Sequence, residues 1–86
     1  MISKAEFKRV LADRLKLARE TLGWDQKTLA KQSGINTSTL CRIEAARVMP
    51  TAYVSVALAA AVGVDIGTLL PGGDMPRRNN KQKGKQ

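Results

Sequence analysis

The clearest hydrophobic pattern in the chain is a pair of short apolar stripes separated by a break. Leu29 and Ala30 share one face of a first helix, which Asp25 can cap. Gly34 suits the positive φ found just past a helix end, and Asn36 can cap the helix that follows. A connection this short makes the second helix cross the first steeply. The pattern therefore predicts a helix-turn-helix motif.

The second helix of this motif, predicted over residues 37–45, has two different sides. At about 100° per residue, Leu40 and Ile43 lie about 60° apart and define the buried side. The opposite side consists of Ser38, Cys41, Arg42 and Ala45, with Thr37 beside them at the exposed N-terminal end. Small side chains allow close approach to a major groove, and hydroxyl and guanidinium groups can bond to base edges or phosphates. This side is therefore the candidate DNA-reading surface.

The segments on either side of the motif predict three more helices. Ser3 and Glu6 fit a capping box at the start of a long first helix. Pro50 precedes an Ala-rich helix that Gly63 can end, and Asp65 could cap a last short helix. Because aromatic residues make up only 3% of the chain, the core must be built from Leu, Val, Ile and Ala. The predicted fold class is all-α, a compact bundle of about five helices.

The net charge of +8 divides the 86-residue chain into two parts. Residues 1–70 carry half of this charge and are predicted to form one domain, with the motif at residues 26–45. Residues 71–86 carry the other half, and their Pro, Gly, Asn, Gln and Lys predict a flexible, disordered basic tail. The tail either contacts phosphates or is a solvated terminus. Its candidate phosphate contacts are Arg77, Arg78, Lys81, Lys83 and Lys85.

Composition argues against several other classes of protein. With one Cys and no His, the chain offers no internal disulfide and no zinc-ligand set, so neither a metal nor a cofactor is expected. Its seven carboxylates form no recognisable catalytic spacing, which argues against an enzyme. No apolar signal segment or run of about 20 apolar residues is present. A cytoplasmic protein that does not contact the membrane is the expectation.

These features together resemble the phage-repressor and Cro-like helix-turn-helix family, also called the xenobiotic-response-element type. The resemblance spans about residues 11–70, and three departures from the usual pattern stand out. Ala45-Ala46 replaces a polar-Gly pair, Met49 replaces a polar residue, and Asp25 stands where Ser or Thr is common. The matching residues are Leu15, Ala18-Arg19, Gly23-Trp24-Asp25-Gln26, Leu29-Ala30, Gly34-Ile35, Leu40, Arg42-Ile43-Glu44, Pro50, Ala59, Val62-Gly63-Val64 and Leu69-Leu70.

The resemblance implies roles for individual residues. Gln26 matches a residue that contacts a phosphate at a helix N-terminus. Arg19 and Glu44 match a partly buried ion pair, which would be structural. The positions expected to read bases are Thr37, Ser38, Cys41 and Arg42, with the Cys41 side chain against a thymine methyl. The other candidate contacts to the DNA backbone are Lys27, Asn36, Thr39 and Arg47.

The resemblance also implies a function. It is that of a bacterial or phage-encoded regulator that binds double-stranded DNA sequence-specifically, most simply as a repressor. One small domain reads few base pairs, so a homodimer on a dyad operator is expected, with the helix over residues 37–45 in the major groove. The first candidate for the dimer surface is the apolar segment 64–70. An alternative is an antitoxin-type interaction module that binds both DNA and a partner toxin.

Overall fold

The computed structural model describes residues 2–71 and folds them into five α-helices. No strand occurs in this part of the chain, which confirms the predicted all-helical bundle. The basic residues of the predicted tail, beginning with Arg77, lie outside the described residues. The helices are α1 (Lys4–Thr21), α2 (Gln26–Ser33), α3 (Thr37–Glu44), α4 (Ala52–Val62) and α5 (Ile66–Leu69).

Side chains cap the first three helices where the sequence predicts caps. The capping box of α1 is complete, since the Ser3 hydroxyl accepts from the Glu6 N–H at 3.1 Å and the Ser3 N–H donates to Glu6 Oε1 at 3.2 Å. Asp25 Oδ1 accepts from the Thr28 N–H at 2.8 Å at the start of α2. At the start of α3, Asn36 Oδ1 accepts from the Ser38 N–H at 2.8 Å. Each bond satisfies a backbone donor that the helix itself cannot satisfy.

The predicted cap at Asp65 is confirmed in its position but not in its side-chain hydrogen bond. Asp65 occupies the N-cap position of α5, but its side chain makes no capping hydrogen bond. Instead its backbone carbonyl accepts from the Thr68 N–H at 2.9 Å. Because α5 is a single turn of four residues, the main chain alone is enough to close it.

The core draws on every helix. Six large side chains are almost fully buried, and α3 contributes two of them. Packing of α1 against α3, and of α2 against both α3 and α4, fixes the motif in the bundle. The six side chains are Leu15, Leu29, Leu40, Ile43, Leu58 and Leu69.

The segment 64–70, the first candidate for the dimer surface, packs in part against the core. Leu69 is 1% exposed. Val64, Ile66 and Leu70 are partly buried and pack against the same core. Only Leu69 of these four apolar residues is fully taken into the core, and the segment stays a prediction as a dimer surface.

Two positive φ angles shape the turns around α3. Gly34, between α2 and α3, has a φ of 75°, which glycine adopts without steric cost. Ala46, just after α3, has a φ of 60° and is the only non-glycine residue with positive φ in the described chain. It falls in the Ala45-Ala46 pair, where the related family more often has glycine. The Ala46 backbone is therefore strained, because its Cβ crowds the main chain in this conformation.

Candidate nucleic-acid interface

The two sides of α3 differ sharply in exposure. Leu40 is 0% exposed and Ile43 is 1% exposed, so the inner side is anchored in the core. The predicted base-reading residues all face outward on the other side. Thr37, Ser38, Cys41 and Arg42 are exposed. This arrangement gives a short polar helix face with a single guanidinium, of a size that a major groove accepts.

The candidate contacts to the DNA backbone are distributed around this face. Lys27 at the start of α2 and Arg47 after α3 are exposed. Thr39 is half-buried on α3. Asn36 is exposed, but its side-chain oxygen already accepts from the Ser38 N–H at 2.8 Å. The side-chain amide nitrogen of Asn36 is therefore the part that can face a phosphate.

A buried ion pair joins α1 to the end of α3. Arg19 Nε donates to Glu44 Oε2 at 2.8 Å, and Arg19 Nη2 donates to Glu44 Oε1 at 2.9 Å. The Glu44 side chain is 1% exposed and that of Arg19 is 11% exposed. The hydrogen bonds to Glu44 raise the pKa of Arg19, although burial opposes this effect. The guanidinium therefore stays charged and holds the C-terminal end of the candidate reading helix.

Two further hydrogen bonds complete this ion-pair network, and the sequence predicts neither of them. Arg19 Nη1 donates to the Trp24 carbonyl at 2.8 Å, which ties down the loop before α2. Gln26 Nε2 donates to Glu44 Oε1 at 3.0 Å. A main-chain carbonyl leaves no trace in a motif, and the only sequence signal for Gln26 is its place in the family pattern.

The position of Gln26 affects its predicted phosphate contact. Its side chain is half-buried, and one of its amide hydrogens is engaged by Glu44. The Gln26 amide is thus oriented by the carboxylate before any ligand arrives. Its remaining N–H, together with the first backbone N–H groups of α2, forms the part that could meet a phosphate.

Asp25 places a negative charge beside this helix N-terminus. The backbone N–H of Thr28 bonds its carboxylate and lowers the pKa of Asp25 below its usual range. The group is therefore ionised at neutral pH. A carboxylate at this position offsets part of the positive end of the α2 dipole, where the family more often has an uncharged hydroxyl.

Two other features, a metal site and a membrane-spanning helix, can be checked in the described residues. Within residues 2–71, no group of His, Cys, Asp and Glu side chains is arranged to hold a metal ion. No helix in the same range is both long and apolar enough to span a bilayer.

A family model described as a helix-turn-helix domain matches residues 10–71 of the chain. The chain therefore belongs to this helix-turn-helix family, and its fold is that of the DNA-binding domain of transcriptional regulators. This confirms the resemblance to the phage-repressor and Cro-like class. A comparison with curated proteins found no match.

Solved structures of bacterial regulators share this fold. A hypothetical transcription factor from Neisseria is 30% identical, with 81% of this chain and 80% of that chain covered and a TM-score of 0.74. The restriction-modification controller protein C.AhdI from Aeromonas hydrophila is 26% identical, with coverages of 72% and 94% and a TM-score of 0.70. An HTH_3 family transcriptional regulator from Vibrio cholerae is 22% identical, with a TM-score of 0.75, and this chain covers 38% of it. The Neisseria and Vibrio proteins are named as transcription regulators, and the Aeromonas protein is named as a restriction-modification controller.

Proposed function

We propose that this protein is a sequence-specific repressor of transcription that acts in the bacterial cytoplasm on double-stranded DNA. The observation that carries the proposal is the outward face of α3. Thr37, Ser38, Cys41 and Arg42 are exposed on a helix whose other side is anchored by the core and by Glu44. A helix held in this way can enter the major groove without losing its shape.

In the proposed complex, α3 lies in the major groove and α2 lies across the sugar-phosphate backbone. Arg42 contacts guanine or a phosphate, and the hydroxyls of Thr37 and Ser38 bond to bases. Lys27, Gln26 and the other candidate backbone residues fix the register on phosphates. The protein represses by occupying an operator that the polymerase or an activator also needs.

A homodimer on a dyad site is part of the proposal. With eight residues, α3 is about 12 Å long, which matches one passage across the major groove. One such helix reads only a few base pairs. Two copies on half-sites spaced by about one helical turn, ~34 Å, give the length of site that a genome requires.

Selection of bound duplexes from a random pool tests this function. We expect enrichment of a dyad sequence, followed by steep weakening of binding to that sequence as salt rises. A charge-matched scrambled duplex is the control and should bind more weakly at every salt concentration. Enrichment of no sequence beyond random duplex would refute a sequence-specific regulator.

A further inference from the structure

The outer face of α4 is apolar although nothing in the described chain covers it. Helix α4 packs its inner side against α1, α2 and α5, burying Leu58 and Ala59. On the outer side, Tyr53 is 79% exposed and Val56 is 53% exposed. A helix that is apolar all round is normally buried on all sides. The exposed half of α4 therefore has the composition of a contact surface.

The outer residues form one continuous stripe, which we call the α4 stripe. Its spacing follows the helical repeat at i, i+3, i+4 and i+7, so its side chains line up along the helix. The first position carries a large aromatic ring and the last carries a methyl group. The stripe consists of Tyr53, Val56, Ala57 and Ala60.

Charge favours a second copy of this chain as the occupant of the stripe. From Val48 to Val64 the chain has no charged side chain, although the whole chain carries +8. Two strongly basic molecules repel each other, so they can meet closely only where neither presents a charge. Other exposed large apolar side chains, such as Leu17 and Leu22, lie on or beside α1, a helix that also carries many charged side chains.

We propose that the α4 stripe is the surface through which two copies of this chain pair about a two-fold axis, with their α4 helices antiparallel. In an isologous contact, residue i of one copy meets residue j of the other, and j meets i. An axis between Val56 and Ala57 sets Tyr53 of one copy against Ala60 of its partner, and the reverse. Each large ring then meets a methyl group, so the stripe is complementary to itself.

This inference rests on the proposed function, because a dyad operator requires a two-fold dimer. Among helix pairs that pack closely in the bundle, α4 is not a neighbour of α3. Pairing through α4 uses none of the residues proposed to read DNA, which all lie on α3. The stripe is smaller than a standard interface, so the dimer is expected to be weak in free solution and to be reinforced by DNA.

Sedimentation of the full chain over a range of concentrations tests the surface. We expect a reversible monomer–dimer equilibrium that Val56→Lys weakens at least about tenfold, because it places two like charges near the axis. Leu17→Lys is the matched control, since it adds the same charge to an equally apolar residue that is 66% exposed on α1. It should leave dimerisation unchanged. Circular dichroism must show both variants to be folded.

A charge pair tests the antiparallel register. Tyr53→Glu and Ala60→Lys should each weaken self-association when studied alone. Mixed together, the two variants should form a heterodimer, because the register sets the new carboxylate against the new ammonium across the axis. Failure to associate on mixing would overturn the antiparallel register.

The outcomes separate this surface from the proposed function. A wild-type chain that stays monomeric, or a dimer that only Leu17→Lys disrupts, would overturn the α4 stripe while leaving DNA selection to stand. If the stripe instead binds a different protein, and Val56→Lys abolishes that binding, a second copy of this chain is not the occupant. If Val56→Lys disrupts the dimer but the protein enriches no DNA sequence, the α4 stripe is supported and the proposed function is refuted.

Discussion

Arg19 on α1 and Glu44 on α3 form a two-pronged ion pair that is almost wholly excluded from solvent. The two contacts, Nε to Oε2 and Nη2 to Oε1, measure 2.8 and 2.9 Å. The same carboxylate also accepts from the Gln26 amide. One buried charge thus joins the scaffold helix, the helix proposed to lie on phosphates and the helix proposed to read bases.

Removing one partner of this ion pair should lower the free energy of unfolding by more than the loss of its hydrogen bonds alone would. Arg19→Met leaves the Glu44 carboxylate buried without a counter-charge, and we expect the free energy of unfolding to fall by about 3–5 kcal/mol. Urea denaturation measures the change. Arg9→Met, at an exposed position of the same helix, should stay within about 0.5 kcal/mol of wild type. A loss below about 1 kcal/mol for Arg19→Met would mean that water reaches Glu44 when the partner is removed.

The ionised cap at Asp25 predicts a pH dependence of stability. Its pKa is lower in the folded protein than in the unfolded chain, because the Thr28 N–H bonds the carboxylate. This contribution to stability is therefore fully present above about pH 4, and it is lost as pH falls through the folded-state pKa. Asp25→Asn keeps a capping side chain that does not titrate. In urea denaturation at a series of pH values, the advantage of wild type over Asp25→Asn should shrink toward low pH; parallel curves would contradict this.

Asp25 should also weaken DNA binding at neutral pH. In the proposed complex, its carboxylate lies at the N-terminus of α2, where a phosphate would sit. Asp25→Ser keeps the cap and removes the charge, so the affinity for the selected operator should rise about 2–5-fold at low salt. The gain should fade as salt screens the repulsion. Weaker binding by Asp25→Ser in a fluorescence anisotropy titration would instead indicate that Asp25 contacts the DNA directly.

Ala46→Gly should stabilise the protein. The φ of 60° at Ala46 strains an L-residue, and glycine removes that strain at a smaller cost in unfolded-chain entropy. We expect a gain of about 1 kcal/mol in the free energy of unfolding, measured by urea denaturation. The neighbouring Ala45 has a φ of −87° and is the matched control, because glycine there gains nothing. Ala45→Gly should therefore be neutral or destabilising, and equal effects at both positions would exclude strain as the cause.

Arg42→Ala separates base reading from phosphate contact. If the guanidinium reads a guanine, the specific operator should lose about 1–3 kcal/mol of binding free energy and random duplex should lose much less. Arg9→Ala removes the same charge from an exposed position on α1 and should change both affinities only slightly. Competition titrations with the two duplexes measure the difference. Equal losses on both duplexes would assign Arg42 to the sugar-phosphate backbone.

Local signals in the sequence were sufficient for the motif and its caps. Asp25 and Asn36 cap helices through bonds to residues two or three positions away, so a short window of sequence contains both partners. The side chain of Asp65 has the same capping chemistry but makes no such bond. Its helix is one turn long, and composition does not show whether the main chain alone will close so short a turn.

A short window of sequence does not predict contacts between residues that are far apart in the chain. Arg19 and Glu44 are 25 positions apart, and in the sequence only the family resemblance connects them. The bond from Arg19 to the Trp24 carbonyl involves no side chain that a motif could record. Likewise, the sequence shows that α4 is apolar all round, but only its packing shows that Tyr53 and Val56 face outward.

The shortness of α3 has a thermodynamic consequence. A helix of eight residues is unstable in water on its own, so α3 keeps its shape only through the core and Glu44. Its shape therefore exists before DNA arrives, and little conformational entropy remains to be lost on binding. Association should then bury only the surface of contact and show a modest negative change in heat capacity, without the large signature of a segment that folds on its target.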